Sequence, residues 1–256
     1  MDSFDYDGRP IPCQPGQTVA AALWAAGVRA WRRTRVAGAP RGLFCGIGAC
    51  YDCLATIDGE GGQRTCLTQA RAGLDVTSAA RSIGPAGSFG PAGSFVPDGS
   101  PAPAGSTPPA AGAYDVAVIG AGPAGLAAAA TAALGGCRVA LLDAAPRAGG
   151  QFWRHRDARA DHAASGQRDW AVFQGLSSIV EDRVDHLTEA TVWFVEPGFT
   201  VHARRTGGSM AAIRAERLVV ATGAHDRTVP FPGWELPGVV TPGGAQALLK
   251  GSGVVV

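Results

Sequence analysis

The stretch from Tyr114 to Gln151, YDVAVIGAGPAGLAAAATAALGGCRVALLDAAPRAGGQ, leaves a chain few ways to fold. An apolar strand, Val116 to Ile119, runs into the turn Gly120-Ala121-Gly122-Pro123-Ala124-Gly125. A helix of small residues follows from Leu126 to Leu134, and a second strand, Val139 to Leu142, ends at Asp143. Strand, glycine turn, helix, strand and terminal acid together are the dinucleotide-binding fingerprint in its full context. Gly120 makes a turn too tight for a side chain, Gly122 lets the backbone approach a pyrophosphate, and Gly125 lets the helix pack close to the sheet. The phosphates would sit at the helix N-terminus, beside Pro123 and Ala124, where free N–H groups and the helix dipole favour negative charge. Asp143, 18 residues after Gly125, stands ready to accept a ribose hydroxyl.

A membrane span is the competing reading, because Val116 to Cys137 is 22 residues without a charge. Pro123, five glycines and a predominance of alanine over leucine argue against it, and a buried strand and helix explain the same apolarity. Over the whole chain, 256 residues suffice for one large or two modest domains, and a net charge of +1 calls for neither nucleic acid nor an anionic membrane surface. The acidic start, MDSFDYDGRP, is not a secretory signal, so the chain reads as cytoplasmic with reduced cysteines.

Residues 1–80 read as a small mixed domain. Asp7-Gly8 lies at the centre of Phe4 to Ile11 as a hairpin turn, and Thr18 is an N-cap for a helix from Val19 to Ala26, stopped by Gly27. Arg29, Arg32, Arg33, Arg35 and Arg41, interleaved with Trp31, read either as a solvated basic loop or as a docking patch for an acidic partner or cofactor phosphates. Cys45, Cys50, Cys53 and Cys66 then stand as C-x4-C-x2-C-x12-C, and the first three spacings match the plant-type [2Fe–2S] pattern. Two sulfide-bridged irons need four thiolates from a loop that wraps them closely. Gly46 and Gly48 let the backbone curl and aim N–H groups at the sulfurs. A structural zinc site would use two short C-x2-C knuckles, and a redox-active Cys50-Cys53 pair would leave Cys45 and Cys66 unexplained. Cys13 and Cys137 fall outside the pattern.

With RGLFCGIGACYDCL and RTCLT, residues 3 to 78 resemble the small [2Fe–2S] subunits or domains of hydrogen cyanide synthase, opine oxidase and the proline and hydroxyproline dehydrogenases. A related domain opens the sarcosine oxidase alpha chain. The resemblance implies a β-grasp, ferredoxin-like fold.

Residues 81–112 follow, with GPAGSF repeated at 84–89 and 90–95, and read as a flexible Pro/Gly/Ala/Ser linker. Beyond the fingerprint, Gly149, Gly150 and Gln151 match a turn that wraps the flavin in the pyridine nucleotide-disulfide reductase superfamily. Residues 152 to 190 read as holding at least one amphipathic helix, with His155, His162 and His186 scattered without triad or ligand spacing. Strands are expected at Thr191 to Val195, Phe199 to Ala203 and Met210 to Ile213, forming a β-meander, and a separate buried strand at Leu218 to Val220. Ala221-Thr222-Gly223 would bring the backbone against the cofactor. His225 and Arg227 could face the flavin or simply pack. HDRTVPFPGWELPGVVTPGGAQALLK resembles the FAD-bearing electron-transfer subunit of the same amine-oxidising complexes.

The expected architecture is therefore α/β with an α+β N-terminal domain: a β-grasp [2Fe–2S] domain, then a Rossmann-type FAD domain with β-meander over 113–250. Residues 251–256 read as a turn and the first strand of a truncated NAD(P)-type domain, so that the longer proteins of this family would add NAD(P). The expected cofactors are a [2Fe–2S] cluster and FAD. The expected function is electron transfer within an amine or imino-acid dehydrogenase or oxidase complex acting on a CH–NH group. Its partners would be a second FAD-containing subunit that oxidises a small amine or amino acid, and a membrane-peripheral or respiratory acceptor. Two other functions stay open: an NAD(P)H-dependent flavin/iron–sulfur reductase, and a non-catalytic iron–sulfur binding module.

Overall fold

Two Asp-Gly turns shape the N-terminal sheet. In the computed structural model, which describes residues 2–78, 114–156, 166–205 and 208–256, β1 (Asp2–Tyr6) and β2 (Arg9–Cys13) pair antiparallel about Asp7 (φ 49°) and Gly8 (φ 81°). Positive φ at both turn positions matches the right-handed twist of a two-residue hairpin. The device recurs between β5 (Leu54–Ile57) and β6 (Glu60–Arg64), at Asp58 (φ 50°) and Gly59 (φ 80°). A short ladder, β3 (Arg32–Arg33) with β4 (Pro40–Arg41), precedes them, and β7 (Asp75–Ser78) runs parallel to β1 in a sheet of order β2-β1-β7-β5-β6. Helix α1 (Val19–Ala25) begins where Thr18 Oγ1 accepts the Ala21 N–H at 3.3 Å. Its residues Val19 to Trp24 are all buried, and they form one core with Phe4, Ile11, Leu43, Ala55 and Val76. This mixed sheet gripping one helix is the β-grasp arrangement.

The chain divides into two compact units. The first holds, among the described residues, 2–78, His155, Arg156 and 225–256. Residues 225–256, read from the sequence with the flavin domain, thus pack in the same unit as the cysteine loop. Thr241 N–H donates to the Phe44 carbonyl at 3.0 Å, Gln17 Nε2 donates to the Ser252 carbonyl at 3.1 Å, and Trp234 lies 5.2 Å from the Phe44 ring.

The second unit is built on β8 (Tyr114–Ile119), α2 (Pro123–Leu134), β9 (Val139–Leu142), α3 (Trp170–Arg183), β10 (Asp185–Leu187), β11 (Ala190–Glu196), β12 (Thr200–Arg205) and β13 (Met210–Val220). The sheet order is β10-β9-β8-β13-β12-β11. Strands β10, β9, β8 and the second half of β13 are parallel, whereas β12 and β11 join as an antiparallel meander. Parallel β8, β9 and β10 with their connecting helices give the expected Rossmann-type unit.

Three local expectations are corrected. Met210–Ile213 and Leu218–Val220 are one 11-residue strand, because nothing between Arg214 and Arg217 breaks extended backbone. Its inward residues Ala211, Ile213 and Ala215 are buried, but Val219 and Val220 are exposed, as the described elements leave that end of the strand uncovered. Gly251 and Ser252 are the last residues of helix α4 (Pro242–Ser252) rather than a turn, since Gly253 supplies the left-handed cap at φ 66°. The linker 81–112 and His162 lie outside the described residues.

Candidate functional site

Cys45, Cys50 and Cys53 lie on the loop between β4 and β5, and Cys66 follows β6. Gly46 (φ 65°) and Gly48 (φ 79°) turn the loop through left-handed backbone, as does Tyr51 (φ 59°) despite its side chain. The curl aims the Ala49 and Cys50 N–H groups at Cys45 Sγ, at 3.3 and 3.4 Å, and the Asp52 N–H at Cys50 Sγ, at 3.5 Å. Cys66 is tied to the loop by its neighbours. Thr65, fully buried, donates both its hydroxyl and its N–H to the Cys53 carbonyl, at 2.7 and 3.1 Å. Arg64 donates to the Gly48 carbonyl at 3.0 Å and lies over the Tyr51 ring.

The thiols meet in two pairs. Cys50 donates to Cys45, which together with loop N–H groups holds the Cys45 thiol well below its ordinary range and, with burial, pushes Cys50 up. Cys66 does the same for Cys53, so that Cys53 is lowered and Cys66 raised. Among the described residues no three His, Cys, Asp or Glu side chains converge on a single ion. Two pairs of thiols, fed by backbone donors, fit a two-iron cluster that takes two thiolates at each iron.

The second candidate site is made by absence of side chains. At Gly120 (φ 102°) a Cβ would collide with the Ala221 carbonyl, and at Gly125 it would collide with the Gly120 carbonyl. Gly150 (φ 60°) lies against Gly122, where a Cβ would come within 2.9 Å of the Gly122 Cα. A Cβ on Gly122 would meet nothing nearer than 3.9 Å, so the space beside that backbone is open. Gly122 is also the N-cap of α2 and has no side chain to cap it, leaving first-turn N–H groups for an anion. Pro123 at the first helical position has no N–H to satisfy, and Ala124 follows it.

Asp143 closes β9. Its Oδ2 accepts the Ala121 N–H at 2.5 Å and its Oδ1 the Ala145 N–H at 2.6 Å, which fixes the carboxylate against the glycine turn. Each oxygen keeps a further lone pair for a hydroxyl. Gly149 N–H donates to the Ala121 carbonyl at 2.7 Å, bringing Gly150 and half-buried Gln151 to the same edge. Ala221 N–H continues the ladder to the Ile119 carbonyl at 2.8 Å, and Thr222 and Gly223 (φ 71°) turn away across Gly120. An uncapped helix start, an open glycine wall and an acid at the next strand end fit a dinucleotide, and the expected residues are all brought to this edge. His225 and Arg227 pack in the first unit and are exposed there.

One functional group escapes the sequence reading. Arg32 and Arg41, expected as part of a solvated loop or a docking patch, turn inward onto Asp52, between Cys50 and Cys53. A signal for it is present: two arginines at the ends of a turn-forming segment, and an acid inside the ligand spacing. Arg29 instead lies 4.2 Å above the Trp24 ring.

Comparison with known proteins finds a family for each half of the chain. Residues 3–81 match the model of a 2Fe-2S iron-sulfur cluster binding domain, and residues 114–251 match that of the pyridine nucleotide-disulphide oxidoreductases. An opine oxidase subunit of Agrobacterium tumefaciens is 40% identical over 56% of this chain and 30% of its own length. The sarcosine oxidase alpha chain of Corynebacterium sp. (strain U-96) is 31% identical over 98% of this chain and 27% of its own. The chain thus spans under a third of these curated relatives. The crystal structure of L-proline dehydrogenase from P. horikoshii superposes with a TM-score of 0.72 at 21% identity, covering 97% of this chain and 46% of the other, a likeness of fold. The cofactors of the chain are a [2Fe–2S] cluster and FAD. Among the described residues no helix is long and apolar enough to cross a membrane.

Proposed function

The chain belongs to the pyridine nucleotide-disulphide oxidoreductase family and carries an iron–sulfur domain ahead of it, and we propose that it is the electron-transfer part of an oxidoreductase acting on the CH–NH group of amines or imino acids. The observation that carries this reading is the presence, in one chain, of four paired thiols and a nucleotide cradle stripped of side chains. Bound FAD supplies a junction between two-electron donors and one-electron acceptors such as an iron–sulfur cluster.

The chain's own residues hold and orient these groups. Gly120, Gly122 and Gly125 keep side chains out of the turn, while the α2 start, which Pro123 sets without an N–H of its own, offers the N–H groups from Ala124 onward to the diphosphate. Asp143 accepts the ribose hydroxyl, and Gly150, Gln151, Ala221, Thr222 and Gly223 close the edge. Cys45, Cys50, Cys53 and Cys66 hold the cluster. In this assignment the cluster domain is residues 1–80, the linker is 81–112, and the flavin domain is built on the elements β8 to β13, because 225–256 pack in the first unit.

Relatives named as opine oxidase and sarcosine oxidase subunits support a CH–NH donor and a partner subunit. That partner would carry a second FAD, take the electron pair from the substrate in the cytoplasm and pass it to this chain. The test is to purify the chain anaerobically with and without the co-expressed amine-oxidising partner, and to follow flavin absorbance and the [2Fe–2S] electron paramagnetic resonance signal. Reduction by sarcosine, an opine or proline only in the complex is expected. Absence of both chromophores, or reduction by NADH but by no amine, would overturn the reading.

A further inference from the structure

Arg32 and Arg41 stand directly opposite one another in the β3–β4 ladder. Like charges in that position repel across the strands, and neither escapes to water: their side chains are 22% and 14% exposed. Both reach the same carboxylate. Arg32 Nη2 lies 2.8 Å from Asp52 Oδ1 and its Nε donates to the Asp52 carbonyl at 2.8 Å, gripping side chain and backbone together. Arg41 Nε lies 3.6 Å from the same Oδ1. Arg41 is itself held from behind, over the Trp234 ring at 5.1 Å and donating to the Glu235 carbonyl at 3.4 Å.

One guanidinium would suffice to neutralise one buried carboxylate. Two leave a surplus positive charge, fixed beside the turn whose N–H groups point at the ligand sulfurs. We propose that Arg32, Arg41 and Asp52 form a charge clamp that sets the reduction potential of the cluster held by Cys45, Cys50, Cys53 and Cys66; the proposal rests on the cluster reading above. Reduction adds one electron and one negative charge there, with no bond made or broken. A fixed surplus cation in a partly buried site favours the more negative state. All three are positioning residues, since none is a ligand.

The clamp predicts opposite signs. Replacing either arginine, Arg32→Gln or Arg41→Gln, removes positive charge and lowers the potential. Asp52→Asn keeps the shape, removes negative charge and raises it. The expected size is on the order of a tenfold change in the reduction equilibrium, about 59 mV for one electron. The measurement is an anaerobic redox titration of the full chain, with mediators, followed by the [2Fe–2S] paramagnetic signal. A role confined to holding the loop would broaden or erase the signal without ordering the three potentials by charge. Potentials that do not move, or that move the same way in all three variants, overturn the clamp. If Asp52→Asn does not retain the cluster, the arginine variants decide alone: unmoved or raised potentials in both overturn it. Wild-type chain with no [2Fe–2S] signal would instead defeat the cluster reading itself.

Discussion

The cysteine loop and the glycine cradle meet the same need, close approach to a bulky cofactor, by opposite means. The loop brings side chains inward: four thiols in two pairs, with backbone bent through left-handed conformations at Gly46, Gly48 and even Tyr51. The cradle takes side chains away, so that the Gly120, Gly125 and Gly150 positions are filled by neighbouring backbone rather than by their own atoms. In the first, chemical identity is what cannot change. In the second, volume is. The two therefore respond to different kinds of substitution, and each should fail without taking the other cofactor with it.

The largest effect is expected at the loop. Cys53 is 1% exposed, with its thiol paired to Cys66, and Cys53→Ser is expected to abolish the cluster while leaving flavin in place. Iron content and visible absorbance measure this directly; loss of both cofactors would break the comparison by making the units interdependent. Next comes the cradle. Gly150→Val places a branched side chain at φ 60° and against the Gly122 Cα. Overpacking of this kind destabilises by about 1–3 kcal/mol, so flavin affinity is expected to drop on the order of five- to a hundredfold in equilibrium dialysis. The [2Fe–2S] signal should be unchanged.

That contrast also explains which features are legible in the sequence. Four cysteines at fixed spacing and glycines at fixed offsets are local patterns, and so are the two Asp-Gly hairpins. Each states its own backbone requirement within a few residues. Long-range packing leaves no such trace. Nothing near Trp234 or Thr241 announces that residues 225–256 pack beside Phe44, and the flavin-side motif at Ala221 pulls the eye the other way. The five arginines between Arg29 and Arg41 look solvated because loops usually are. Only the ladder that places Arg32 opposite Arg41, and the single acid inside the C-x2-C spacing, show that two of them are structural. Met210 to Val220 reads as two strands because burial changes along it, although extended backbone does not.

A smaller effect probes the polar corner of the cradle. Asp143 accepts two backbone N–H groups at once, and Asp143→Asn keeps the shape but turns one acceptor into a donor facing a donor. Leaving such a group unpaired costs about 1–3 kcal/mol. Flavin retention and the melting temperature of the flavin-bearing unit are both expected to fall, by less than in Gly150→Val. An unchanged melting temperature with weakened flavin would sharpen the comparison, by showing that the carboxylate serves the cofactor and not the turn.

The smallest expected effect is one of pH, and it belongs to the cradle side alone. His186 lies on β10, with its Nε2 buried and without a hydrogen-bond partner among the described residues. Burial lowers its pKa below the ordinary 6.5, against the opposing pull of Asp143 and Glu181. A base whose folded pKa is depressed stays neutral while the unfolded chain takes up a proton, so stability falls as pH drops through the unfolded value near 6.5 and levels off below the folded one. The flavin-bearing unit should therefore melt at lower temperature at pH 5 than at pH 7.5. His186→Leu, which cannot titrate, should flatten that part of the profile, while the midpoint of the cluster-bearing unit shows the same pH dependence in both proteins. A profile that falls just as steeply without the imidazole would place the acid sensitivity elsewhere in the sheet, and would remove His186 from the groups that distinguish the two halves.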